Sequence, residues 1–84
     1  MRIVFKSQAL DDLAFFEKKH RRLAERIYSL LKSIETTPFL GLGKPEPLKY
    51  QLSGKWSRRI DYTHRLVYGV SGDTITVYSC RFHY

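Results

Sequence analysis

The spacing of apolar residues changes along the chain, and each change marks a predicted element. Arg2 to Lys6 carries Ile3, Val4 and Phe5 and then returns to charge, which predicts a short strand. Ser7 stands where a helix N-cap would, and Asp11 and Asp12 suit the positive end of a helix. Leu10, Leu13, Ala14 and Phe16 recur at helical spacing to about Lys18. The basic run from Lys18 to Arg22 then interrupts the apolar pattern. Beyond it, Leu23, Ile27, Leu30, Leu31 and Ile34 form one apolar stripe of a second helix. Pro38 disfavours helix at the residue before it, so Thr36-Thr37-Pro38 is the stop. Two helices joined by a short basic turn predict an αα-hairpin.

From Phe39 to Pro47 the chain reads as a loop, with glycines at 41 and 43 and prolines at 45 and 47. The Gly41-x-Gly43-Lys44 string lacks P-loop spacing and has no correctly placed strand or helix beside it. The two prolines restrict the backbone on either side of Glu46, and a stiffened loop presents a carboxylate in one place. Strands are predicted over Leu48 to Leu52, Trp56 to Asp61, Arg65 to Val70 and Thr74 to Tyr84. The short connections at Ser53-Gly54-Lys55, Tyr62-Thr63-His64 and Ser71-Gly72-Asp73 make these strands antiparallel neighbours. The pattern predicts a single α+β domain spanning 1–84. An N-terminal strand and a two-helix hairpin pack on one face of an antiparallel sheet of four to five strands.

Alternation along the strands sorts the side chains. Even positions hold Trp56, Ile60, Leu66, Tyr68, Val70, Tyr78, Cys80 and Phe82, an apolar set spoiled only by Arg58. Odd positions hold Ser57, Arg59, Asp61, Arg65, Val67, Gly69, Ser79, Arg81 and His83, so the odd face is predicted to be open and cationic. Ile75 and Val77 are apolar but odd, which leaves the register of the last strand open to a bulge. Arg59, Arg65, Arg81 and His83 converge on the open face, with Glu46 and Lys49 entering from the loop and the first sheet strand. Arginines crowded without acidic partners repel one another, and an incoming phosphate relieves that repulsion.

Charge sharpens this reading. The chain has 15 lysines and arginines against 8 acidic residues, a formal net charge of +7, which favours a polyanion or an acidic protein as partner. A single cysteine, Cys80, excludes an internal disulfide and fits a reducing cytoplasm. Met1 to Lys6 is too short for a signal-peptide core, and no apolar run reaches membrane-spanning length. His20, His64 and His83 are far apart with no paired ligand motif, so neither metal nor other cofactor is expected. His64 is read as a turn residue with a surface role, and Trp56 as core rather than a base-stacking platform.

RNA cleavage by its own 2′-hydroxyl needs a base for that proton, an acid for the leaving 5′-oxygen, and cations to hold charge on phosphorus. A carboxylate, an imidazole and guanidinium groups supply all of these without metal. Arginine suits the phosphate better than lysine, because its fork donates two hydrogen bonds in a plane.

The stretch Gly43-Lys44-Pro45-Glu46-Pro47-Leu48-Lys49 carries a resemblance, continued by Leu52-Ser53-Gly54, Trp56-Ser57-Arg58-Arg59-Ile60, His64-Arg65-Leu66-Val67-Tyr68 and the ending Cys80-Arg81-Phe82-His83-Tyr84. Together they closely resemble the YoeB toxin family in the RelE/ParE superfamily, over essentially the whole chain. The resemblance implies a RelE-like (microbial RNase-like) fold and a ribosome-dependent mRNA endonuclease of a type II toxin–antitoxin pair, cutting mRNA in the ribosomal A site in the bacterial cytoplasm. It places the general base on Glu46, the phosphate stabiliser on Arg65 and the general acid on His83, with Lys49, Arg59 and Tyr84 assisting. It also implies a YefM-like antitoxin and a homodimer. The antitoxin is expected to be acidic and partly disordered, its carboxylates pairing with some of Arg58, Arg59, Arg65 and Arg81. The competing reading is a binding module, either a non-catalytic ParE-like toxin or a basic RNA-binding domain, which would need no acid–base pair.

Overall fold

The structure, a computed structural model, describes residues 1–82. Chain order is β1 (Arg2–Phe5), α1 (Ser7–Lys19), α2 (Arg21–Thr36), β2 (Glu46–Pro47), β3 (Trp56–Arg59), β4 (Arg65–Ser71) and β5 (Thr74–Ser79). The strands make one sheet in the order β1-β5-β4-β3-β2. The expected α+β architecture holds, with the helical hairpin on one face. Ala9 and Phe16 of α1 and Ile27, Leu30 and Ile34 of α2 form one buried cluster with Leu66, Tyr68, Ile75 and Val77 of the sheet. Trp56 packs against it, as expected.

The sheet is mixed rather than wholly antiparallel. β1 runs parallel to β5, from Arg2↔Thr74 to Phe5↔Val77. Tight turns fix the direction of strands adjacent in sequence, but β1 meets its partner across the whole intervening chain. The first sheet strand also differs from expectation. Pairing is confined to Glu46↔Ser57 and Pro47↔Trp56, and Tyr50–Leu52 is a turn of 3-10 helix. Proline lacks the N–H that a central strand needs, so a short edge strand is where Pro47 fits. Tyr50, at φ 58°, turns the chain away from the sheet.

In β5 a bulge settles the odd placement of Ile75 and Val77. Val67 pairs with Ser79, but Tyr68 pairs with Val77, so Tyr78 is the extra residue. Ile75 and Val77 therefore face the helices and are fully buried. Tyr78 leaves the inward set and lies across the outer face against Gly69, where a Cβ would sit 3.4 Å from its ring. Lys55 Nζ stands 4.1 Å from the centre of that ring.

The helices depart from the sequence reading mainly at α1. Lys6, not Ser7, is the N-cap, and no carboxylate lies in the first turn. Leu10 is 54% exposed and Ala14 is exposed, while Ala9, Asp12 and Phe16 form the buried face. Asp12 is buried because it is satisfied: it accepts from the Cys80 amide at 2.9 Å and from Gln8 at 2.8 Å. That bond ties α1 to the end of β5. The α2 stripe is as read, and a single residue, His20, separates the helices.

Candidate active site

The site begins with Arg58, the residue that breaks the apolar pattern of β3. Its side chain is fully buried. Nη2 donates to the carbonyls of Thr37 at 2.6 Å and Leu40 at 2.8 Å. Nη1 donates to Ser33 Oγ at 2.6 Å and to the Leu42 carbonyl at 3.0 Å, and Nε to the Tyr68 hydroxyl at 3.2 Å. Thr37 is the C-cap of α2, so the guanidinium sits at the negative end of that helix. Burying a charge is costly unless its donors are filled, and here a cage of oxygens fills them. Tyr68 completes the cage by donating to the Pro38 carbonyl at 2.6 Å. Burial raises the pKa of its phenol, against the opposing influence of Arg58.

This cage fixes the loop that delivers Glu46. Gly43 passes close to its neighbours at φ 86°, and a Cβ there would lie 2.8 Å from Leu30 Cδ2 and 3.1 Å from the Arg59 carbonyl. Its own carbonyl accepts from the Arg59 amide at 2.7 Å. Three residues later Glu46 joins the sheet opposite Ser57. Glu46 and Lys49, both exposed, line one cavity of about 390 Å³ together with Pro47, Leu48 and Tyr50 to Leu52.

One step along β3 stands the arginine pair. Arg59 and Arg65 are direct cross-strand partners. Each alternates with a buried neighbour, Arg58 and Leu66, so both belong to the outer face. Glu46 is the diagonal neighbour of Arg59, a relation that spans roughly 7–8 Å between Cα atoms in antiparallel sheet. Arg65 is steadied by the β3–β4 turn, its Nη1 donating to the Asp61 carbonyl at 2.8 Å and the His64 carbonyl at 3.2 Å. Asp61 in turn accepts from the amides of Thr63 and His64 at 2.9 and 2.7 Å, which shapes that turn. Among the described residues the only close pair of opposite charges is the N-terminus with Asp73, at 3.9 Å. The arginine pair therefore has no carboxylate partner there.

The structure brings Glu46 and Lys49 to one cavity and Arg59 and Arg65 to a second, separately lined one of about 330 Å³. Arg81 does not join them. Its guanidinium lies 3.5 Å from the centre of the Phe15 ring on α1 and 4.6 Å from that of Phe82. β5 ends at Ser79, so strict alternation no longer governs Arg81. His83 and Tyr84 lie outside the described residues. The outer face is also less open than alternation implied, since Ser57 and Val67 are buried. Arg58 is unavailable to any partner.

Two residues escaped the sequence reading. Arg26 of α2 lines the arginine cavity and donates to the Arg59 carbonyl at 3.2 Å. It flanks the α2 stripe as an ordinary surface cation would, so nothing in the pattern singled it out. Asp12 did carry a signal, because it falls on the same helical face as Ala9 and Phe16. Cys80 is no candidate nucleophile: burial, with Asp12 adding to it, pushes its thiol up to about 12.

A helical hairpin on a mixed sheet of this kind recurs in solved toxins. The YoeB/ParE toxin from Agrobacterium tumefaciens superposes with a TM-score of 0.97 at 46% identity, over all of both chains. A YoeB–YefM complex from Staphylococcus aureus gives 0.93 at 42% identity, covering 100% of this chain and 98% of that one. YafQ from Escherichia coli shares the fold at a TM-score of 0.76 and 19% identity, over 99% of this chain and 94% of that one. The molecule thus has the fold of the YoeB, ParE and YafQ toxins. More particularly, it belongs to the family of YoeB-like toxins of bacterial type II toxin–antitoxin systems, whose family model matches residues 5–84. Toxin YoeB of Escherichia coli K12 is 44% identical over all of both chains, and that of Synechocystis is 48% identical over 100% of this chain and 98% of its own.

Proposed function

We propose that this toxin is a ribosome-dependent mRNA endoribonuclease acting in the A site. The observation that carries the reading is the Arg59–Arg65 cross-strand pair, unpaired by carboxylates among the described residues, with Glu46 diagonal to it on the same face. Glu46 takes the proton from a 2′-hydroxyl, whose oxygen attacks the adjacent phosphorus. Arg65 and Arg59 hold the charge that builds on the phosphoryl oxygens. The P–O5′ bond breaks and His83 protonates the departing oxygen, leaving a 2′,3′-cyclic phosphate and a 5′-hydroxyl. Lys49 shares the Glu46 cavity and adds a cation for the substrate phosphates, and Tyr84 assists from the chain end. The step balances without a metal, since every proton moves between named groups.

Solved structures from Staphylococcus aureus include a YoeB–YefM complex and a YoeB dimer. By extension this chain takes a YefM-like antitoxin and forms a homodimer, in the bacterial cytoplasm. With Arg58 buried, Arg59 and Arg65 remain the leading anchors for antitoxin carboxylates.

The test is single-turnover cleavage of a defined mRNA on programmed ribosomes. Glu46→Ala and His83→Ala should each slow it by about 100-fold or more, the usual scale for general acid–base groups. Near-normal rates in both would remove these residues from the mechanism. Omitting the ribosomes should abolish cutting of the same RNA, and equal cutting of naked RNA would remove the ribosome from the proposal.

A further inference from the structure

Resting on that reading, we propose that His64 is a positioning residue for the end of the chain. Its neutral imidazole and the Arg65 amide grip Phe82 from two sides and so fix the backbone from which His83 departs. His64 Nδ1 accepts from the Phe82 amide at 2.7 Å. The next residue completes the grip, the Arg65 amide donating to the Phe82 carbonyl at 3.1 Å. Both backbone polar groups of Phe82 are thereby held by consecutive residues, His64 at the end of the β3–β4 turn and Arg65 at the start of β4. Phe82 needs such holding. It sits at φ 62°, the left-handed region, which is unfavourable for a residue with a Cβ.

The imidazole is itself fixed. Its ring meets Phe16 of α1 edge-on, with centres 4.9 Å apart, and lies 5.6 Å from the Phe82 ring. The His64 amide donates to Asp61 at 2.7 Å, and the His64 carbonyl accepts from Ile60 at 3.0 Å. An Nδ1 that accepts carries no proton, so Nε2 bears the hydrogen of the neutral ring. A turn histidine read as surface from the sequence is thus half-buried and bonded to the chain end.

Two variants of the full chain separate this role from simple packing. His64→Phe keeps a ring against Phe16 but removes the acceptor. His64→Asn loses the ring but places an oxygen near the Nδ1 position. Each is measured for hydrogen exchange at the Phe82 amide and for single-turnover cleavage on programmed ribosomes across mRNA concentrations. His64→Phe should speed Phe82 exchange by about tenfold. It should lower kcat by about tenfold with KM little changed, because chain-end geometry is felt in the transition state. His64→Asn should recover most of both. Unchanged Phe82 exchange in His64→Phe overturns the proposal, as do faster exchange with wild-type kcat, or equal losses in both variants. Exchange needs no activity, so an inactive wild type would defeat the functional reading while the Phe82 result still decided the grip.

Discussion

A single arginine shows how a residue that breaks a pattern can organise its surroundings. Arg58 stands among apolar strand positions, and the sequence offers no carboxylate that would explain it. Its partners are carbonyls of the α2 C-terminus and the following loop, together with Ser33 and Tyr68. Removing it would take a charged donor from every one of those oxygens and leave a large cavity beside the α2 C-terminus. Arg58→Ala should therefore destabilise the protein by about 3–5 kcal/mol in urea unfolding. Arg58→Lys should lose nearly as much, because a point charge cannot serve a fork of separate acceptors. Wild-type stability in Arg58→Lys would contradict the cage. Cys80 gives a second test at this scale. Its pKa rises from 9.0 to about 12 in the folded chain, so the thiol proton is bound more tightly folded than unfolded. That contribution is present below pH 9.0 and is lost as pH climbs toward about 12. The stability advantage of wild type over Cys80→Ala, read from urea midpoints, should shrink between those limits. An advantage that stays flat with pH would refute the assignment.

Among the elements, the loop between α2 and β2 decides where Glu46 lies. Gly43 is its narrowest point, pressed between Leu30 and β3 at a φ that favours glycine. Gly43→Ala should destabilise by about 2 kcal/mol or more and slow cleavage further than its stability loss explains. A variant that melts and cuts like wild type would show that the loop tolerates displacement. Much of this scale was legible beforehand. The α2 stripe, the loop around Glu46, and β3 and β4 with their turn all follow from period and punctuation. The parallel pairing of β1 was not, because no local signal links residues at opposite ends of the chain. Ile75 and Val77, apolar on the wrong parity, did announce a register change, but only the ladder shows that Tyr78 is the residue expelled. Glu46, Lys49, Arg59 and Arg65 were singled out through resemblance and strand alternation together, and the structure places Glu46 with Lys49 and Arg59 with Arg65. Arg81 was misplaced because alternation was extended past the end of β5, and His64 was undervalued because its partner is a backbone amide far along the chain.

Over the whole molecule, the excess of seven positive charges is little offset by ion pairs among the described residues. Such a field favours polyanions, and an RNA bound as proposed would release counterions, so its affinity should fall as salt rises. Each neutralised phosphate on a single strand contributes a slope of about −0.7 to log K against log salt. Replacing both Arg59 and Arg65 by Gln should flatten the slope for a short RNA by about 1.4 if each holds one phosphate. An unchanged slope would place the phosphates elsewhere. An acidic antitoxin segment should likewise associate faster at low salt, and stopped-flow rates independent of salt would contradict the electrostatic part of that partnership.

The proposed mechanism places its chemistry at one sugar. If Glu46 activates a 2′-hydroxyl beside the arginine pair, cleavage depends on that oxygen and leaves a cyclic phosphate. The most direct measurement is single-turnover cleavage of ribosome-bound mRNA carrying one 2′-deoxy nucleotide at the mapped cut, with end-group analysis of the unmodified product. The proposed mechanism requires that the deoxy substitution abolish cutting at that bond and that the normal product end in a 2′,3′-cyclic phosphate. Undiminished cutting at the deoxy position, or a 5′-phosphate on the downstream fragment, would mean that water rather than the 2′-oxygen attacks, and would contradict the roles given to Glu46 and His83.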